Sequence, residues 1–307
     1  MERETLFTEK IACWEDWGRI FQSIPAFEKL VAYIFEKEKL PGAEITHLTP
    51  GTNAVFRVGE YVVKIYAPKE SGMDQTESRQ TELFAANFAE KAGAAIPSVV
   101  ACGEICDTYS FAYMIMKYIR GKELGEVLAD SRDEERFLLG EQLGKLTKAM
   151  NIPCSPFNKI HVISDPDRSK RWEPYSETFR KSRTAYLKGR DFGDFVFTHG
   201  DLCADNILVD ENGGLVVIDF ADAVLAPRCY EPSLLAFEYR AYPAFLRGYW
   251  QGEDLKLMAE QVFDGILIHD FGGDIVKSVY PDAPGYHEVE ELYKRILQLL
   301  KPLHENK

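Results

Sequence analysis

The stretch from Phe197 to Phe220 constrains this chain more than any other. It reads Phe-Thr-His-Gly-Asp-Leu-Cys-Ala-Asp-Asn-Ile-Leu-Val-Asp and, after Glu-Asn-Gly-Gly, Leu-Val-Val-Ile-Asp-Phe. Two apolar runs flank polar residues that a simple turn does not require. Asp201 and Asn206 stand five apart, and Asp219 comes directly after a buried-strand pattern. A proton acceptor, an amide oxygen and a carboxylate, each at a strand edge, is the layout of a phosphoryl-transfer site with a bound divalent metal. Such a site also needs a phosphate-binding lysine, a partner for it, a nucleotide cradle and room for a second substrate.

The first third of the chain offers these parts. Residues 1–23 are weakly patterned and read as an amino-terminal extension packed on the first lobe. Pro25 opens an amphipathic helix with Phe27, Leu30, Val31, Ile34 and Phe35 at helical spacing, stopped by Pro41-Gly42. Glu44–Leu48, Ala54–Val58 and Tyr61–Tyr66 read as strands. The turn Thr49-Pro50-Gly51-Thr52-Asn53 can offer backbone N–H groups to phosphates, although most such turns are plain hairpins. Lys64 lies inside Val-Val-Lys-Ile-Tyr. A lysine in an apolar strand needs a partner, unless it sits on the solvent face of an edge strand. A helix over Thr76–Lys91 carries Glu77 and Glu82, with Leu83, Phe84, Asn87 and Phe88 as the expected packed face. Glu82, in mid-helix beside Leu83 and Phe84, is the better partner for Lys64, whereas Glu77 suits the first-turn dipole. Two more strands are expected over Ile96–Ala101 and Ser110–Tyr118. Met116–Gly121 reads as a hinge, where backbone groups of Met116 and Tyr118 can meet an adenine edge.

From residue 122 the pattern turns helical. Helices are expected over Glu123–Ala129, Asp133–Met150, Glu173–Lys188, Tyr230–Tyr239, Pro243–Trp250, Asp254–His269 and His287–Leu300. The core face of the second is read as Phe137, Leu138, Leu143, Leu146 and Met150. Residues 151–173 look irregular, and the polar tail Lys301–Lys307 is expected to fray. Asp264, His269, Asp270 and Asp274 fall in one segment loosened by Phe271-Gly272-Gly273. They read either as a grip for an amine-bearing acceptor or as surface acids. Tyr249 and Trp250 pack either a ring or a helix.

Composition narrows the partners. With 307 residues and 46% hydrophobic content, the chain can build one large domain or two lobes. Its 36 basic residues against 49 acidic ones, net −13, argue against nucleic acid and leave cationic small molecules open. None of the six cysteines forms a C-x-x-C pair, so free thiols in a reducing cytoplasm are expected. No zinc-ligand spacing, leader-like segment or membrane span is read in the sequence.

His199–Leu208 as H-G-D-L-x-x-x-N-I-L and Val217–Phe220 as V-I-D-F resemble the aminoglycoside phosphotransferase and choline kinase-like family. The Gly51-Thr52-Asn53 turn, Val63-Lys64, the Glu82 helix leading to Ile96-Pro97, and Met116-x-Tyr118-Ile119-x-Gly121 agree with it, over roughly residues 43 to 250. The resemblance implies an α+β, bilobal protein-kinase-like fold. Residues 1–117 would be the nucleotide-binding lobe, an antiparallel sheet with one long helix. Residues 118–307 would be a mainly helical catalytic and substrate-binding lobe. Asp201 would orient or deprotonate the acceptor hydroxyl, Asn206 and Asp219 would hold Mg2+, and Lys64, positioned by Glu82, would contact the phosphates of ATP, with GTP open as donor. His199 would orient the loop through hydrogen bonds.

The expected activity is phosphorylation of a small hydroxylated molecule, an aminoglycoside-type antibiotic or a metabolite such as choline, homoserine or a sugar, by a cytoplasmic monomer or weak dimer. Gly200, where protein kinases carry Arg, and the short span from Asp219 to Glu231 argue against a protein kinase. Retention of all five key residues argues against a non-catalytic relative. Ala226-Pro227 and Glu231-Pro232-Ser233 depart from the family's Gly-Asp and Asp-Leu-Ala. Asp205 and Asp222 lie near the site, read as solvated or capping carboxylates, and Cys203 as an incidental small residue.

Overall fold

The computed structural model describes residues 5–49 and 51–304. Pro50 of the expected phosphate turn and the last three residues of the expected frayed tail lie outside them. The chain divides into two compact units. One comprises the residues up to Gln80 together with Pro97–Arg120; the other comprises Thr81–Ile96 and everything from Gly121 on.

The first unit contains helices α1 (Trp14–Ile20) and α2 (Ile24–Lys37) and strands β1 (Ile45–His47), β2 (Ala54–Val58) and β3 (Tyr61–Ile65). Helix α3 (Thr76–Lys91) starts there and continues into the second unit. Strands β4 (Val99–Cys106) and β5 (Ser110–Lys117) complete an antiparallel sheet in the order β1-β2-β3-β5-β4. Alternation works as the pleat requires: Ala54, Phe56 and Val58 of β2 are buried, with half-buried residues between them. Helix α2 buries the five apolar residues its spacing selects.

The amino-terminal segment packs on the first unit, as expected, and does so deeply: Phe7 and Trp17 are fully buried and lie on Phe27 at 5.0 and 5.9 Å between ring centroids. One expectation in this unit needs correction: strand β4 begins later and runs longer than expected. It is an edge strand with mixed burial, so its apolar signal is weak.

The second unit opens with β6 (Gly121–Glu123), α4 (Leu124–Asp130), α5 (Asp133–Met150), α6 (Pro166–Lys170) and α7 (Glu177–Gly189). Next come strands β7 (Phe195–Thr198), β8 (Ile207–Asp210), β9 (Leu215–Val217) and β10 (Val224–Pro227), then α8 (Tyr230–Glu238), α9 (Pro243–Trp250), α10 (Leu255–Ile268), α11 (Gly272–Val279) and α12 (Val289–Leu300). The strands form two small antiparallel sheets, β6-β8-β9 and β10-β7.

Three helical expectations are overturned here. Helix α3 buries Thr81, Glu82, Ala85, Ala86 and Ala89, while Phe84 and Asn87 are exposed. Helix α5 buries Leu139, Gly140, Leu143, Gly144, Thr147 and Met150, and leaves Phe137 and Leu138 39% and 54% exposed. The reason is a glycine seam. A Cβ on Gly140 would lie 1.9 Å from the Phe245 carbonyl oxygen, and one on Gly248 of α9 would lie 2.0 Å from that of Phe137. Helices α5 and α9 therefore meet backbone to backbone, and small residues rather than large ones mark the buried face. The third correction is α11, absent from the expected elements. Gly272 and Gly273 open it instead of loosening the chain, because side chains there would strike the carbonyls of Ile266 and Arg171.

Candidate active site

The polar loop between β7 and β8 is held by its own backbone. His199 is fully buried; its Nδ1 accepts the Asp201 N–H at 3.2 Å and its Nε2 meets the Ile218 carbonyl at 3.0 Å. With Nδ1 an acceptor, the neutral ring carries its proton on Nε2 and donates it to Ile218. Burial holds the imidazole down to about 4, so it stays neutral. His199 thus ties the loop to the end of β9, as expected for a positioning residue.

Asp201, Asn206 and Asp219 come together in this unit. The Asn206 side-chain amide donates to both the Asp201 carbonyl and Asp201 Oδ2, each at 2.9 Å, which leaves its own amide oxygen available. The Asn206 carbonyl accepts the Ile218 N–H at 3.0 Å, placing Asp219 one residue beyond that pairing. Asp219 is exposed and adopts left-handed backbone angles, φ 58° and ψ 74°, a strained state for a non-glycine residue and one that clusters at functional sites.

The Asp201 carboxyl is pushed up to about 7, first by burial and then by the charges of Asp222, Asp219 and Glu238; the Asn206 hydrogen bond pulls the other way. Surplus negative charge of this kind suits a hard cation. Among the described residues no three His, Cys, Asp or Glu side chains gather as a metal site. An amide oxygen with one carboxylate nonetheless fits Mg2+, which keeps waters and shares phosphate oxygens with its ligand.

One residue of this site was not recognised in the sequence. Glu231, 2% exposed on α8, accepts the Gly200 N–H at 2.9 Å, and the His199 backbone also acts on it. What read as a departure from the family pattern braces the loop. Gly200 itself is obligatory: its φ is +85°, and a Cβ would lie 2.3 Å from the Asp222 carbonyl oxygen. The loop is therefore shaped by neighbours gripping its main chain. Cys203 is half-buried and its thiol is raised to about 12 by burial, so it is unreactive at neutral pH.

The remaining predicted residues divide between the units. Lys64, 4% exposed in β3, sits across the ladder from Val55 and Met114, inside the sheet rather than at an edge. Gly51 and Thr52 are exposed; Asn53 is buried, and its Oδ1 accepts the Ala67 N–H at 3.4 Å. Met116 pairs with Val62 in the sheet. The Tyr118 N–H is committed to the Glu60 carbonyl at 3.0 Å, and Arg57 covers its ring at 3.9 Å, so this N–H is not the group that meets an adenine. Glu82, 3% exposed, belongs to the second unit, and Glu77 is exposed.

In the acidic segment near residue 270, two of the carboxylates are engaged by arginines. Asp264 is buried against Arg190 at 2.6 Å and accepts the Tyr186 hydroxyl, and Asp274 pairs with Arg171 at 2.9 Å. Tyr249 and Trp250 are buried in the helical core.

A sheet carrying an internal lysine and a helical unit carrying this aspartate–asparagine–aspartate loop define a small-molecule phosphotransferase of the protein-kinase-like fold class. Residues 46–261 match the model of the phosphotransferase enzyme family, and the chain belongs to that family. No curated protein matches the chain. Among solved structures it resembles a thermostable mutant of aminoglycoside phosphotransferase APH(4)-Ia in its apo form, with TM-score 0.57, 16% identity, and 90% of this chain and 99% of that one covered. It also resembles the streptomycin-ATP-APH(2'')-IIa ternary complex, with TM-score 0.59, 18% identity and coverages of 89% and 97%. ADP-bound aminoglycoside phosphotransferase APH(2'')-Ib gives TM-score 0.56, 18% identity and coverages of 88% and 96%. At these identities the likeness is one of fold. No helix among the described residues is long and apolar enough to cross a membrane.

Proposed function

We propose that this protein transfers the γ-phosphoryl group of ATP, with Mg2+, to a hydroxyl of a small molecule of the aminoglycoside type. The observation that carries the reading is the geometry of the loop: Asn206 Nδ2 holds the Asp201 carboxylate at 2.9 Å, and the Asn206 backbone pairs with Ile218, one residue before Asp219. A carboxylate fixed in this way can orient an acceptor hydroxyl and take its proton as transfer proceeds. The Asn206 amide oxygen and Asp219 would hold Mg2+, which when bound neutralises charge on the phosphates. Lys64 would contact the phosphates with Glu82 positioning it; both are buried charges, a class that is almost always paired. The Gly51-Thr52-Asn53 turn would face the phosphates, and backbone groups around Met116 and Tyr118, other than the Tyr118 N–H, would face the base.

A second reading, a kinase of a smaller metabolite, gains support from one observation. The carboxylates expected to grip amines, Asp264 and Asp274, are paired with arginines. Asp222 and Glu238 add negative charge around Asp201 and would favour a compact cationic acceptor there. A screen of ADP or GDP release across aminoglycosides, macrolides, amino alcohols and sugars separates the readings. Absence of magnesium–nucleotide binding by calorimetry would sink both.

A further inference from the structure

Behind the His199–Asn206 loop lies a buried stack with no part in the chemistry above. His269 comes directly after the last residue of α10 and is 1% exposed. Its ring lies against Tyr230, centroids 4.5 Å apart and planes at 22°. Its Nδ1 accepts the Phe271 N–H at 3.2 Å. Burial and the nearby Arg168 charge hold the ring down to about 3, so it is neutral with its proton on Nε2. That Nε2–H is buried and makes no hydrogen bond within normal limits. The backbone that acts on the ring is that of Gly200, in the sense that favours a proton on the imidazole. A carbonyl has that effect and an N–H does not, and the Gly200 N–H is committed to Glu231.

The rest of the stack is firmly held. The Tyr230 hydroxyl accepts from Arg168 Nη1 at 2.6 Å and from the Asp270 N–H at 3.1 Å. A ring needed only to stack and to cap the Phe271 N–H uses Nδ1 alone, which leaves the buried Nε2–H without a structural reason of its own. The N–H of the peptide leading into Asp201 is held by His199 Nδ1 and that of the peptide before it by Glu231, so the Gly200 carbonyl is the remaining handle on how Asp201 is presented.

We propose that His269 is a positioning residue for Asp201: its Nε2–H faces the carbonyl of the Gly200–Asp201 peptide and, opposite Glu231, fixes how Asp201 is presented. The inference rests on the role given to Asp201 above.

Full-length His269→Phe and His269→Gln proteins test it by hydrogen exchange and by steady-state ADP release from magnesium-ATP with water as acceptor. His269→Phe should raise exchange across residues 199–206 about tenfold and lower kcat about tenfold, with KM for ATP within about twofold of wild type. Exchange in α12 should not change. His269→Gln keeps an N–H donor at similar reach and should return both values to within about threefold. Unchanged exchange at 199–206 in His269→Phe would overturn the proposal. So would an equal rise throughout the second unit, or a Gln variant that behaves like Phe. An Asp201→Asn control separates the two claims, since full ADP release there refutes the Asp201 role while leaving the exchange result standing.

Discussion

Replacing Glu231 with alanine should destabilise the second unit by an amount that shrinks as pH rises. Alanine leaves the Gly200 N–H, and the His199 backbone beside it, without their buried acceptor. One or two orphaned donors plus the lost side-chain packing come to about 3–5 kcal/mol. An opposing term depends on pH. Burial raises the Glu231 carboxyl from its ordinary 4.5 to about 7. A raised carboxyl contributes stability that is full below pH 4.5 and is lost as pH climbs through 7. A shift of that size corresponds to about 3 kcal/mol withdrawn from the wild type by pH 8. Alanine titrates nothing, so the gap between the proteins should be about 4 kcal/mol at pH 4.5 and near 1 kcal/mol at pH 8. Urea denaturation of both proteins across this range measures the gap directly, and titrations common to both cancel. A gap that is flat with pH, or that widens as pH rises, would refute the argument. A widening gap would mean that the two N–H groups outweigh burial and hold the carboxyl low.

Asp201→Asn removes the proton acceptor yet keeps the shape that Asn206 binds, so kcat should fall at least about 100-fold with nucleotide affinity intact by calorimetry. Gly140→Ala forces α5 off α9, against a Phe245 carbonyl 1.9 Å from the new carbon. A loss of about 2–4 kcal/mol, read from the melting temperature, is expected, and an unchanged melting temperature would disprove the glycine seam. Asp264→Asn leaves Arg190 without its buried partner. Because the Arg190 side chain is 38% exposed and water can take up its charge, stability should drop by about 1 kcal/mol while KM for the acceptor stays the same; a raised acceptor KM in a fully folded variant would return Asp264 to the substrate site.

These predictions separate what a linear reading reaches from what it cannot. The loop proposed to react, residues 199–206, is legible because phosphoryl transfer needs particular atoms at short chain spacing, and because β7, β8 and β9 announce themselves through apolar runs. Its supports are not legible. Glu231 and His269 reach Gly200 from 31 and 69 positions away, and nothing in their local patterns distinguishes them from helix residues of ordinary kind. Glu231 was visible only as a mismatch with the family pattern, whereas its chemistry, a carboxylate gripping main-chain N–H groups, needs no particular neighbours in sequence. The helix faces misread for a related reason. Hydrophobic periodicity finds large side chains, but α5 and α9 bury by close approach, so Gly140 and Gly248 carry the signal that Phe137 and Leu138 were expected to carry. Charges mislead in the same way, since Asp264 and Asp274 look available until arginines 74 and 103 positions earlier neutralise them. A site whose chemistry is local and whose geometry is imposed from a distance will show its reaction class in its sequence and hide the residues that tune it. In this chain those residues converge on Gly200, the position that can offer only its backbone.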